Sequence, residues 1–145
     1  MNKELYSKFP YVLRNKLINN EIRFPDSTKF EYEPLYVYRA VARKHDDNSD
    51  VSLEDFKSYF ELQKKPRGVT DNLDENATYY GVSSFLNKEI VKQVMKFPKP
   101  NKKLAEGYVF SEGGPQYTKV EHVCWWLYEG ADVSNFKLVK EDNDG

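Results

Sequence analysis

Apolar positions along this chain recur with two different periods, and the switches between them outline a small α+β fold. After Pro10, which suits a first helical turn, Val12, Leu13, Leu17 and Ile18 stand at helical spacing until Asn19-Asn20 offers a stop. A short amphipathic helix is predicted there. The run Leu35 to Ala42 is rich in aromatic and β-branched residues and reads as a strand. Ser52-Leu53-Glu54-Asp55 has the form of a capping box and predicts a second helix through Phe56, Tyr59 and Phe60, ending near Gln63. Tyr79 to Phe85 reads as a second strand running directly into a third helix, capped by Asn87, whose buried positions are Ile90, Val91, Val94 and Met95.

Further strands are predicted over 104–111, 120–128 and 136–139. The middle one is apolar on both sides, with Val120, Cys124, Trp126 and Tyr128 on one and Val123, Trp125 and Leu127 on the other. Such a strand belongs in a sheet interior, covered on both faces. The pattern therefore predicts one α+β domain over residues 1–145, with three short helices on a small mixed or antiparallel sheet. Residues 64–78 are polar and carry Pro66 and Gly68, so a flexible loop is expected there, and 141–145 read as a disordered acidic tail.

Composition narrows the class of partner. The chain holds 22 basic and 23 acidic residues, for a net charge of −1, so no global field draws it to nucleic acid or to anionic lipid. The lysine-bearing stretches, Lys64-Lys65-Pro66-Arg67 and Lys96 to Lys103, read as solvated loops. No apolar stretch is long enough to span a bilayer, and the lone Cys124 lies in an apolar run, where an inert core thiol is expected. A reducing, cytoplasmic setting is the expectation. His45 and His122 are far apart and lack cysteines at ligand spacing, so no metal site is expected, and His122 reads as a hydrogen-bonded strand residue.

Three positions ask for a chemical explanation. Arg39 stands between Val37 and Val41 on one side of its strand, where a guanidinium is costly without a partner or a cleft. Glu121 opens the long apolar strand. Ser83 and Ser84 end the second strand just before a helix start, where hydroxyls and backbone N–H groups can anchor a ligand. Each has a plain structural reading as well: a snorkelling or ion-paired arginine, an exposed glutamate or its salt-bridge mate, and serines engaged in a local turn.

In their order these features resemble the ADP-ribosyltransferase superfamily, whose arginine-class members carry an arginine on an early strand, a serine-bearing strand followed by a helix, and a late glutamate. Tyr38-Arg39-Ala40-Val41 looks like the first motif, Tyr80-Gly81-Val82-Ser83-Ser84-Phe85 like the second, and Glu121 like the third. The resemblance spans roughly residues 35–140 and implies a split two-sheet core. It also implies NAD as substrate, with Arg39 on the pyrophosphate, Ser83, Ser84 and Tyr80 on the nicotinamide side, and Glu121 as the catalytic carboxylate. Two positions depart from the pattern: Lys119 stands where arginine-modifying members keep an acidic residue, and Val82 where the first serine of the motif falls. The acceptor is therefore left open. The alternative of a different class is a non-enzymatic protein-binding module, such as a phage or mobile-element accessory protein, gripping a protein partner through its aromatic surface and the 64–78 loop.

Overall fold

A computed structural model describes residues 3–44, 46–62, 76–94 and 101–139. The expected loop 64–78 lies largely outside them, as do His45, Met95, Lys99 and the tail 141–145. Among the described residues the chain forms helices α1 (Lys3–Tyr6), α2 (Tyr11–Ile18), α3 (Tyr59–Leu62) and α4 (Lys88–Val94). The strands are β1 (Leu35–Ala42), β2 (Val82–Phe85), β3 (Lys102–Val109), β4 (Gln116–Lys119), β5 (His122–Trp125) and β6 (Lys137–Leu138). None of the described helices is long and apolar enough to cross a membrane.

The strands make one sheet in the order β4-β5-β2-β1-β3-β6, and every neighbouring pair is antiparallel. Antiparallel pairing, and not a mixed sheet, is thus what the pattern delivers. β1 and β3 pair along their whole length, from Leu35↔Val109 to Ala42↔Lys102. Between β1 and β2 the register holds one pair, Tyr38↔Phe85. The sheet is therefore continuous, as opposed to two separate sheets, but a narrow seam divides β4-β5-β2 from β1-β3-β6.

The two apolar sides of β5 are both covered, as its sequence predicts. Val123 and Trp125 join Val37, Val41, Val82, Phe56 and Phe136 in one core cluster. Cys124 and Trp126 join Phe9, Leu13, Leu17, Ala77 and Tyr80 in a second, beneath the N-terminal helices. Burial also pushes the Cys124 thiol well above its ordinary pKa, in keeping with an inert core residue.

Several boundaries move, each for a local reason. The helix expected from Ser52 to Gln63 is broken into a 3₁₀ turn at Leu53–Asp55 and the single turn of α3. Each piece has its own reciprocal cap. Asp55 Oδ2 accepts from the Ser52 N–H at 3.0 Å, and Glu61 Oε1 from the Ser58 N–H at 2.9 Å while the Ser58 hydroxyl accepts from the Glu61 N–H. Tyr79 and Tyr80, expected in the second strand, instead lie in a 3₁₀ turn capped by the Asn76 side chain. There both tyrosine rings pack on Phe60, with centroids 5.9 and 5.0 Å away, so aromatic packing overrides their strand preference. Asn87 caps α4 as expected, its Oδ1 accepting from the Glu89 N–H at 2.8 Å.

The expected strand 120–128 shrinks to four residues. Lys119 pairs with His122, so Val120 and Glu121 form a two-residue hairpin turn. Val120 is 86% exposed with φ 59°, and it does not share a buried side with Cys124. A β-branched residue in that region is strained, since its Cβ crowds the following carbonyl. Val120→Gly should therefore stabilise the protein, by about 0.5–1 kcal/mol once glycine's larger unfolded-state entropy is counted. A urea melt checks this; a lower midpoint for the variant would mean the turn is unstrained.

Candidate functional site

Arg39 lies on β1 and the two serines on its neighbour β2, while Glu121 stands in the turn that leads into β5, the next strand of the sheet. Arg39 stands on the side of Val37 and Val41. Its Nη1 crosses the seam and donates to the Ser83 carbonyl, and its guanidinium lies 5.2 Å from the centre of the Phe56 ring. β1 is an interior strand, so this is not an edge arginine reaching water. The 3₁₀ turn at Leu53–Asp55 positions Phe56 under the guanidinium, and a buried ion pair holds that turn. Arg43 Nη1 and Nη2 donate to the two Asp55 oxygens at 2.7 and 2.8 Å, both side chains being less than a tenth exposed. Burial opposes ionisation of Asp55, yet Arg43, the Ser52 N–H and Arg39 together hold its carboxyl below the usual carboxylate range.

Alternation sends the two serines to opposite sides. Ser84 pairs with Val123 and faces the Val123–Trp125 core, on the same side as Arg39. It is fully buried, and its hydroxyl finds no hydrogen-bond partner among the described residues. Ser83 pairs with Cys124 and turns its hydroxyl the other way, 3.0 Å from His122 Nε2. Burial lowers the His122 pKa, so the ring is neutral near pH 7, and Phe85 packs on it with centroids 5.2 Å apart. His122 is thus the hydrogen-bonded strand residue its position predicts.

Glu121 sits in the β4–β5 turn, half-buried, with its carbonyl accepting the Leu86 N–H at 2.9 Å. That bond lies one step beyond the row Tyr38–Phe85–His122, so Glu121 closes the same level of the sheet. Strand spacing separates the β1 and β5 backbones by roughly 10 Å. Tyr80 is placed apart from these residues: it is buried in the second core, with the Lys16 ammonium 5.9 Å from its ring centre.

Two of the clefts on the described surface adjoin each other. One is lined by Phe56, Tyr80 and Val82 among others, and the second by the segment 110–113 and 128–135. Neither is lined by Arg39, Ser83, Ser84 or Glu121. The sequence places Asp55 in a capping box and Phe56 in the helix after it without tying either to Arg39, and the capping box was the signal that this segment would be held in a fixed turn.

Among the described residues, no three His, Cys, Asp or Glu side chains gather where they could hold a metal ion. Comparison of the chain with protein-family models, with curated proteins and with solved structures finds no match.

Proposed function

We propose that this chain is an NAD-consuming ADP-ribosyltransferase or NAD glycohydrolase-like domain, acting in the cytoplasm, with Arg39, Ser84 and Glu121 as its working residues. One observation carries the reading: Arg39 and the Ser83-Ser84 pair face each other across the β1–β2 seam, with Glu121 at the head of the next strand.

The roles follow from residue chemistry. Arg39 supplies charge-assisted hydrogen bonds to the pyrophosphate. Ser84, whose hydroxyl is uncommitted and on the arginine's side, supports the nicotinamide end; the Ser83 hydroxyl is engaged by His122. Glu121 accepts a hydrogen bond from a ribose hydroxyl and stabilises the positive charge that grows at the anomeric carbon. The bond from that carbon to the nicotinamide nitrogen breaks, its electron pair leaving with nicotinamide. A bond to the oxygen or nitrogen of the acceptor, or of water, replaces it, and the incoming group loses its proton.

The test is nicotinamide release from NAD, measured by chromatography with purified protein alone and with cell lysate. Glu121→Gln should lower release by about 10²- to 10³-fold, the usual loss when an electrostatic partner of the transition state is removed. Equal inactivity of the wild-type protein and the variant, with and without lysate, would sink the reading.

A second reading, a protein-binding module, is favoured by a different observation: Tyr11, Val12 and Leu53 are exposed around a cleft that Glu121 does not line.

A further inference from the structure

The two clefts adjoin at Tyr128, Glu129 and Gly130, which line both, and together they make a groove of two parts with volumes of about 420 and 500 Å³. Its first half is apolar. Phe56, Phe60, Tyr80, Val82 and Leu127 line it, and exposed Tyr11 (66%) and Leu53 (41%) extend the apolar surface at its rim. Large apolar side chains left in water around a concave surface are the usual mark of a recognition site.

Among the described residues, the charges in the lining itself have one dominant sign. Glu54, Glu61 and Glu129 line the first half and Glu112, Glu129 and Asp132 the second, against one lining cation among the described residues, Lys57. That ammonium is already paired with Glu54 at 3.1 Å. Lys8, Arg14 and Lys16 lie over the rings of Tyr128, Tyr11 and Tyr80 but are not in the lining, and Lys16 is held by Glu21 at 3.4 Å. Five carboxylates around an apolar floor favour a cationic ligand over a pyrophosphate or a nucleic-acid backbone. They attract an apolar anchor flanked by lysine or arginine.

We infer that this groove binds an extended, basic segment of a partner protein, an aromatic or aliphatic side chain filling the half floored by Phe56 and Val82. Flanking cations lie along Glu54, Glu129 and Asp132. The length of the groove beyond its apolar half, and its continuation onto exposed side chains, fit a peptide better than a compact metabolite. This site goes beyond the NAD reading and stands without it, since none of Arg39, Ser83, Ser84 or Glu121 lines the groove.

Fluorescence anisotropy with two labelled heptapeptides tests it. Both carry Leu-Trp-Leu at the centre, one flanked by lysines and the other by glutamates. The basic peptide should bind, more weakly as salt rises from about 50 to about 300 mM, and the acidic one should not. The exposed triple replacement Glu54→Lys/Glu129→Lys/Asp132→Lys should weaken the basic peptide by at least about tenfold and admit the acidic one. Tyr11→Ser should weaken both in that background, while Glu33→Lys, outside the groove, should change nothing. Equal binding of the two peptides by the wild-type protein, binding of neither, or an affinity untouched by the triple replacement overturns the inference. Far-ultraviolet circular dichroism of each variant separates a lost site from a lost fold.

Discussion

Replacing Gly114 with alanine is expected to cost roughly 3–5 kcal/mol, a large share of the 5–15 kcal/mol that holds a domain of this size. An added Cβ would lie 1.9 Å from the Trp126 carbonyl oxygen, 2.9 Å from its carbonyl carbon and 3.2 Å from the Leu127 Cα. All three are backbone atoms, so no side-chain rotation relieves the clash. The residue also has φ 137° and ψ 166°, a region open in practice to glycine alone. Shifting the segment instead would disturb what it anchors. The Gly114 carbonyl accepts from the Tyr32 hydroxyl at 2.7 Å and from Trp125 Nε1 at 3.2 Å, and the next residue's carbonyl accepts the Trp126 N–H at 3.0 Å. Gly130 provides the control. With φ 72° and nothing within 4 Å of its added Cβ, Gly130→Ala should cost only about 1 kcal/mol. Urea unfolding of both variants settles the matter; a Gly114→Ala protein no weaker than Gly130→Ala would mean the backbone around Trp126 yields freely.

Asp55→Asn should cost roughly 3–5 kcal/mol, because it leaves the Arg43 charge buried without its carboxylate. Arg43 also donates to the carbonyls of Ala42, Ser49 and Asp50 at 2.7, 3.3 and 3.0 Å, so it cannot swing out to water without abandoning them. For the same reason the double change Arg43→Met/Asp55→Leu should recover only part of the loss. Removing both charges ends the electrostatic penalty, but three carbonyls lose a donor. The pH dependence has a definite sign. Asp55 has a folded-state pKa below its unfolded value near 4, so its stabilisation is complete above about pH 4 and is lost as pH falls through the folded value. His122, also lowered, adds an earlier loss beginning below about pH 6.5, where the unfolded chain binds a proton the folded ring resists. In Asp55→Asn the acid limb should flatten while the His122 step persists. An unchanged acid limb would show that Asp55 is not the group responsible. Because Asp55 fixes the turn that carries Phe56 beneath Arg39, the proposed activity predicts that nicotinamide release falls with stability in this variant.

How far these features could be read from the chain differs from residue to residue. The strand at Leu35–Ala42, the box at Ser52–Asp55 and the two-sided burial of Val123 to Trp126 were all legible, because each is written in local periodicity or capping chemistry. β4 was not. Gln116-Tyr117-Thr118-Lys119 has no apolar alternation, and it is a strand because Pro115 releases the chain beside β5 and pairing with Cys124 and Val123 completes the ladder. The hairpin at Val120-Glu121 was hidden for a similar reason: neither residue is a turn former, so the turn is imposed by the register of the strands it joins. As for the candidate site, alternation alone could have separated the Ser83 hydroxyl from that of Ser84. What no local pattern carries is the partner across the seam, which depends on which strands become neighbours.

That seam makes the two edges of β1 unlike each other. Amides directed toward β3 lie in a ladder that runs the length of the strand, whereas those directed toward β2 have one paired register position beside them. Amide hydrogen exchange along Leu35–Ala42 should therefore alternate, slow residues interleaved with fast ones, so that one strand reports both a rigid half-sheet and an opening boundary. A uniform exchange rate along the strand would mean the two halves of the sheet breathe as one body.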